Sequence, residues 1–163
     1  QVRRPRSIGI PVVAMVGIVM LIASAWVQAR LIWNFTPSIP IGLYAIEERD
    51  WVRGDRVALK PTGQLQETLR SANVLEEGRL LMKRVAASAG DEVCRSGTLV
   101  SVNGFAAAIA RSDASLPHWS GCIPLNAGDV FLLGETDNSF DGRYFGVTSA
   151  EDIVGPVQSL LTF

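Results

Sequence analysis

The hydrophobic pattern is most uneven near the amino end, where twenty residues from Ile8 to Val27 carry no charge. A helix of that length spans roughly 30 Å, the thickness of the hydrocarbon core of a bilayer. Three arginines precede the run, at Arg3, Arg4 and Arg6. Because such clusters favour the cytoplasmic side of a membrane, the pattern predicts a membrane anchor that enters from the cytoplasm.

This pattern divides the chain into a cytoplasmic segment 1–7, a transmembrane anchor 8–28 and an exported domain 34–163. A cleaved signal peptide is the alternative, because "ASAWVQA" contains small residues of the kind found at cleavage sites. The apolar run is longer than a usual signal core, which favours a retained anchor.

Beyond the anchor the pattern changes to short alternating segments separated by glycine turns. It predicts strands at 56–60, around Lys83 and at "DVFLLGE", a short helix over about 64–76, and a hairpin with turns near Gly90, Gly97 and Gly104. The segment "FAAAIARSDASLPHWSGCIPLNAGD" is predicted to be loop-rich, and the chain to end in one or two strands. Many short strands with frequent turns indicate a mostly-β, barrel-like domain.

Charge narrows the choice of partner. Of the 163 residues, the first 34 carry four arginines and no acid, which leaves 11 basic and 16 acidic residues beyond them. A net charge of −5 on the exported domain argues against nucleic acid as its partner.

The two cysteines, Cys94 and Cys122, both follow the anchor. Outside the cytoplasm a disulfide between them is favoured. Two buried free thiols are the alternative.

Ser38 stands between two prolines, in "TPSIPIGLY", just after the anchor. Prolines fix φ and limit loop motion, so the serine is suited to act as a nucleophile held in one position; an ordinary linker is the alternative.

A nucleophilic serine needs a base. The lone histidine, His118, lies in a predicted loop, where a solvated role is the usual one.

Two lysines follow the anchor, Lys60 and Lys83. Lys60 ends a strand in an ordinary solvated position. Lys83 is surrounded by the apolar residues of "LLMKRVAAS", so lost hydration should lower the pKa of its ammonium group and make it a candidate general base. A lysine on the wet face of an amphipathic strand is the alternative.

A third polar cluster lies in "DNSFDGRYFG", with Ser139, Asp141 and Arg143. In an extended segment these alternate residues would share one face and could position a lysine. A surface turn with an Asp–Arg pair is the alternative. Metal-ligand spacing and phosphate-binding glycine loops are missing from the sequence, so neither a metal nor a cofactor is expected.

In this order after one anchor, "PSIPIGLY", "LMKRVAASAGDEV" and "NSFDGRYFG" resemble the signal peptidase I superfamily of Ser/Lys serine peptidases. The form "TPSIPIGLY" and the two cysteines are most similar to the TraF-type branch, the peptidases of plasmid conjugation systems. The chain departs from typical signal peptidases at Ile39, where they have methionine, and at Gly142, where they have serine.

The resemblance implies a role for each matching residue and a β-rich peptidase domain whose cleft faces the membrane. Ser38 matches the nucleophile and Lys83 the general base. Thr36 matches the side chain that forms the oxyanion hole together with the Ser38 amide. The supporting positions are matched by Ser139, which orients the lysine, by Asp141 and Arg143, and by Arg84 after the lysine.

The resemblance further implies an endopeptidase of the bacterial inner membrane, with its catalytic domain in the periplasm. Its substrate would be an exported precursor, above all a conjugative pilin precursor, and other components of a conjugation or secretion system would be its neighbours. In that branch the acyl-enzyme can be resolved by the substrate's own amino terminus, which gives a cyclic product. A general signal peptidase and a non-catalytic anchored interaction domain are the rival hypotheses.

Overall fold

The computed structural model describes residues 13–21, 30–74 and 78–163. Residues 13–21 are helical, and no helix within these ranges is both long and apolar enough to cross a bilayer. The predicted segment 1–7 and both ends of the predicted anchor 8–28 lie outside the described residues, so the anchor stays a prediction.

From Leu31 onward the described chain consists mainly of antiparallel strands, which confirms the mostly-β prediction. The strands are β1 (Leu31–Asn34), β2 (Gly42–Ile46), β3 (Arg56–Leu59), β4 (Leu81–Ser88), β5 (Glu92–Ser96), β6 (Leu99–Val102), β7 (Phe105–Ile109), β8 (Gly121–Pro124), β9 (Asp129–Leu133), β10 (Thr148–Ser149) and β11 (Ile153–Thr162). Two helices, α1 (Gly63–Ser71) and α2 (Gly142–Phe145), and a 3₁₀ turn at Ala150–Asp152 complete the described elements.

The strands form two sheets. The larger one has the order β1-β2-β11-β3-β4-β9-β10, and the smaller one the order β7-β6-β5-β8. Strands β1 and β10 remain the edges of the larger sheet, so the pairings of the described strands leave the predicted barrel-like arrangement open. Strand β4 lies inside this sheet, between β3 and β9, and both of its faces are largely buried.

The apolar side chains form three buried clusters. One lies beneath α1 and α2 and includes Leu69, Leu132 and Tyr144. A second joins the two sheets through Val93, Phe131 and related residues. The third, which contains Ile39, Tyr44, Ala58, Met82 and Val157, lies under the loop that follows β1. Burial of that loop's isoleucine therefore attaches the loop to the body of the domain.

Three local predictions need correction. The helix predicted over about 64–76 ends at Ser71 and is followed by Asn73 in a left-handed conformation, while residues 75–77 lie outside the described ranges. The segment predicted to be loop-rich contains β7 and β8. The segment around Arg143 is the short helix α2 and not an extended run, because Asp141 caps its first turn.

Candidate active site

The loop that carries Ser38 joins β1 to β2 and is held from several sides. Its Ile39 side chain is fully buried, and the Tyr44 hydroxyl donates a hydrogen bond of 2.6 Å to the carbonyl of Pro40. The backbone N–H of Glu135 donates to the Ser38 carbonyl at 2.7 Å. The loop is therefore fixed against both the larger sheet and the segment after β9, as expected for a held nucleophile.

Asn34, the last residue of β1, is a further contact that sequence reasoning missed. Its buried amide bonds to the backbone carbonyls of Thr36, Ile39 and Pro40 and accepts hydrogen bonds from the Thr36 amide and hydroxyl. The only signal in the sequence is a turn-favouring residue between Trp33 and Phe35, at the entry to the loop.

Lys83 lies on β4 with 2% of its surface exposed, so the hypothesis of a wet-face lysine is wrong. Its Nζ donates a hydrogen bond of 3.1 Å to the Ser139 hydroxyl. Burial lowers the pKa of Lys83 to about 8; the Asp141 carboxylate opposes this shift and the Arg143 guanidinium adds to it. The side chain is thus a buried amine of which about a tenth is neutral at pH 7.

Ser38 and Lys83 line the same groove of about 950 Å³, together with Thr36 and Ser139. A direct hydrogen bond between Ser38 and Lys83 is missing from the described structure, so a proton transfer between them would require a closer approach. Gly134 connects the two sides. A Cβ atom placed there would lie 2.0 Å from the Ser139 hydroxyl oxygen and 3.0 Å from the Ser38 carbonyl oxygen.

Thr36 lies beside the predicted nucleophile, with its hydroxyl oxygen 3.4 Å from that of Ser38. The Ser38 backbone N–H has no hydrogen-bond partner among the described residues. An unpaired amide next to a hydroxyl is the arrangement that an oxyanion hole requires.

Asp141 and Arg143 form a buried pair behind the lysine, so the hypothesis of a surface turn is wrong. The Asp141 carboxylate accepts from the Arg143 guanidinium at 2.8 and 3.0 Å and from the Gly134 N–H at 2.7 Å. The guanidinium also donates to the carbonyls of Thr136 and Asp137. This network fixes both ends of the segment that presents Ser139 to Lys83.

Gly142, where typical signal peptidases have serine, has no room for a side chain in this chain. A Cβ there would lie 2.7 Å from the Leu132 carbonyl oxygen and 2.8 Å from the Phe131 ring. The first turn of α2 therefore approaches β9 directly, and the glycine is a requirement of packing.

Three other candidates lie elsewhere. Arg84 follows Lys83 on β4, where successive side chains point to opposite faces, and it lines a second groove beside Phe105. His118 and Lys60 are exposed, in agreement with their solvated interpretation.

Cys94 and Cys122 are adjacent in the register of β5 and β8 and form a disulfide, which confirms the predicted pairing. Together with Glu92 they are the one group of potential metal ligands within the described ranges. Since both sulfurs are bonded to each other, they are not free to bind a metal.

The sequence is similar to that of known proteins over nearly its whole length. Residues 6–162 match the family model described as signal peptidase, peptidase S26. The plasmid transfer protein TraF of Escherichia coli is 32% identical over 162 residues, which cover 90% of this chain and 92% of the relative. A probable conjugal transfer protein TraF of Sinorhizobium fredii is 33% identical, over 98% of this chain and 91% of the relative.

A solved structure, a signal peptidase I from Enterococcus faecalis, aligns with a TM-score of 0.41 at 17% identity. The alignment covers 68% of this chain and 98% of that structure.

Proposed function

This chain belongs to the signal peptidase family of S26 peptidases, and on that premise we propose that it is a membrane-anchored serine endopeptidase with a Ser38/Lys83 dyad. The observation that carries the proposal is the buried Lys83 amine, hydrogen-bonded to Ser139 in the groove that also contains Ser38. The pKa of Lys83, lowered by burial to about 8, suits a general base, because part of the amine is then neutral near pH 7.

In the proposed reaction the neutral Lys83 amine takes the proton of the Ser38 hydroxyl as the oxygen attacks the scissile carbonyl. The resulting ammonium returns the proton to the leaving amine when the peptide C–N bond breaks. An acyl-enzyme ester on Ser38 remains. Ser139, as the hydrogen-bond partner of Nζ, orients the amine throughout both steps.

The developing oxyanion would be stabilised by the unpaired Ser38 N–H and the Thr36 hydroxyl. Removing one such donor typically slows the reaction by about 10²–10³-fold. Asp141 and Arg143 act on Lys83 without contacting the substrate. Their opposite charges shift the pKa of Lys83 in opposite directions. Their hydrogen bonds hold the segment that carries Ser139.

The second half-reaction transfers the acyl group from Ser38 to an acceptor. Water gives a linear product and regenerates the hydroxyl. An amino terminus of the substrate, acting in place of water, forms a peptide bond and gives a cyclic product. Both acceptors need their proton removed, and Lys83 is again the available base.

For the substrate, we propose an exported precursor and in particular a conjugative pilin precursor. The support is that the relatives of this chain are plasmid transfer and conjugal transfer proteins that match nearly its full length. Other conjugation-system components at the membrane are the corresponding partners.

For the location, we propose a single-pass anchor in the bacterial inner membrane, with the groove in the periplasm and facing the bilayer. The support is the uncharged run with its basic flank and an aromatic group at the start of the domain. Trp33 contacts both Phe35 and Phe163, and all three residues are exposed, Trp33 least and Phe163 most. Exposed aromatic rings are common at membrane–water interfaces. A groove beside them would meet the cleavage site of a tethered substrate.

The test is co-expression of candidate exported precursors, above all a small pilin-like one, with wild type, Ser38→Ala or Lys83→Met, followed by mass spectrometry. Shortening only by wild type is expected, and a product one water lighter than the linear chain identifies cyclisation. Lys60→Met is the matched control, because that lysine is exposed.

The same experiment separates the rivals. Processing of a broad panel of leader peptides would favour a general signal peptidase. Equal masses with all variants on every precursor would favour a non-catalytic interaction domain.

A further inference from the structure

We propose that Asn34 is a positioning residue, whose amide fixes the nucleophile loop and sets the direction of the Thr36 hydroxyl. The inference rests on the proposed function, because it assigns to Asn34 a role in the activity of Ser38. It is carried by five contacts within hydrogen-bond distance that one buried side chain makes, three at Nδ2 and two at Oδ1.

The donating side of the amide faces three backbone carbonyls. Nδ2 lies 2.8 Å from the Thr36 oxygen, 2.8 Å from the Ile39 oxygen and 3.1 Å from the Pro40 oxygen. The orientation of the amide is therefore determined, because the flipped amide would place its own oxygen against three acceptors. The three carbonyls bracket Ser38, so the amide ties the two sides of the loop together.

The accepting side of the amide controls Thr36. Oδ1 accepts from the Thr36 N–H at 3.3 Å and from its hydroxyl at 3.1 Å. The hydroxyl has a single hydrogen, so while it donates to Asn34 its oxygen can only accept from Ser38, 3.4 Å away. In the free protein the Thr36 hydroxyl hydrogen therefore points to Asn34 Oδ1. When the oxyanion forms beside it, the oxyanion is the stronger acceptor and the hydroxyl donates to it instead.

Few other groups can take over this role. Asn34 is 6% exposed and its contact with the Ile39 carbonyl is buried, so water has little access to that carbonyl. The Tyr44 hydroxyl reaches Pro40 alone, and Glu135 reaches the Ser38 carbonyl alone. Loss of the amide would leave the Thr36 and Ile39 carbonyls without this donor, while Pro40 would keep Tyr44, and the loop would relax to hydrate the two carbonyls.

Two substitutions distinguish the donor function of the Asn34 Nδ2 from the acceptor function of its Oδ1. Asn34→Asp is nearly isosteric and keeps acceptor oxygens for Thr36, but its carboxylate cannot donate to the three carbonyls. Asn34→Ala removes both functions. Asn126→Ala is the matched control, because it removes an amide from an exposed turn remote from the groove.

The experiment compares the full chain and its variants by two readouts. The first is the acylation rate of Ser38 by p-nitrophenyl acetate from pH 6 to 10, with Ser38→Ala as the blank. The second is hydrogen–deuterium exchange of the amides in residues 35–41. Both Asn34 variants should be acylated about 10- to 100-fold more slowly, because a displaced nucleophile reacts more slowly. In Asn34→Ala, which adds no charge to the groove, the pH midpoint should stay unchanged because Lys83 is untouched. The loop amides of both variants should exchange at least about tenfold faster, as expected for a loop that opens more often.

Acylation of both variants within about twofold of wild type, or unchanged exchange of the loop, would overturn the proposal. So would loss of the cooperative unfolding transition in both variants, because the amide would then serve the fold as a whole. If wild type is acylated no faster than Ser38→Ala, the proposed function fails, and the exchange readout still decides whether Asn34 holds the loop.

Discussion

The Lys83 ammonium nitrogen lies 3.1 Å from the Ser139 hydroxyl oxygen, although 56 residues separate them along the chain. The contact joins β4, in the interior of the larger sheet, to the segment after β9. Because β4 and β9 are hydrogen-bonded neighbours, the sheet itself brings the amine and the hydroxyl together. A buried lysine that loses hydration but keeps one hydrogen bond has the two properties needed of a general base: a lowered pKa and a fixed direction.

Activity should follow the deprotonation of Lys83. With a pKa lowered to about 8, the rate should rise about tenfold per pH unit below that value and level off above it. The measurement is kcat/KM from pH 6 to 10 on a processed precursor. A profile that is flat between pH 6 and 9 would exclude Lys83 as the base.

Lys83→Met should inactivate the protein and stabilise it. Burial disfavours the ammonium form, so at pH 7 the variant should gain about 1–3 kcal/mol in its free energy of unfolding. Between pH 8 and 10.5 the unfolded chain holds a proton that the folded one has released, so wild type becomes more stable as pH rises and the difference shrinks. Chemical denaturation at pH 7 and pH 10 checks this, with Lys60→Met as control. A variant less stable than wild type at pH 7 would contradict the assigned effect of burial.

Gly134→Ala should displace Ser139, since the added methyl group would lie 2.0 Å from its hydroxyl oxygen and 2.4 Å from its Cβ. Activity should fall about 100-fold. Adding Ser139→Gly removes the clash with Ser139 and leaves the 3.0 Å approach to the Ser38 carbonyl, so the double variant should regain part of its thermal stability while activity stays low. Gly17→Ala is the control, because an added Cβ meets nothing within 4 Å there. Full activity in Gly134→Ala would show that Ser139 need not touch Lys83.

Asp141 and Arg143 should move the pH profile in opposite directions. The carboxylate raises the pKa of Lys83 and the guanidinium lowers it, so Asp141→Asn should shift the midpoint to lower pH and Arg143→Met to higher pH. Each variant also leaves a buried charge unpaired, which should destabilise the domain by about 3–5 kcal/mol. The pH–rate profile and thermal unfolding check both effects. The exposed pair between Arg70 and Glu67 provides the control, as Glu67→Gln should change neither. Equal midpoints in the two buried variants would contradict the electrostatic account.

Removing the disulfide should lower stability without altering the chemistry. Closing a 28-residue separation should stabilise the domain by roughly 3 kcal/mol, and the sulfurs lie outside the groove. Cys94→Ala/Cys122→Ala should therefore unfold at lower denaturant concentration with an unchanged pH profile. Alkylation of both thiols in the unreduced wild type would show that the bond is not formed in solution.

The sequence by itself determined the local elements and the candidate chemistry. Alternation and glycine turns predicted a mostly-β domain, because a strand repeats every two residues and turns need permissive backbone. The apolar surroundings of Lys83 predicted a lowered pKa for its ammonium group. Three sequence motifs in a fixed order, around Ser38, Lys83 and Ser139, indicated the family. These are short-range properties that can be read within a few residues.

Tertiary structure decided which groups meet. Asn34 gave no chemical signal in the sequence, and its role follows from carbonyls that only a folded loop turns toward it. Arg84 is adjacent to Lys83 in sequence yet lines another groove, because neighbouring strand residues face opposite sides. Asp141 and Arg143 form their buried pair through a helical turn that the alternating pattern did not predict. Distances across the fold depend on strand pairing and packing, which the local pattern of residues does not specify.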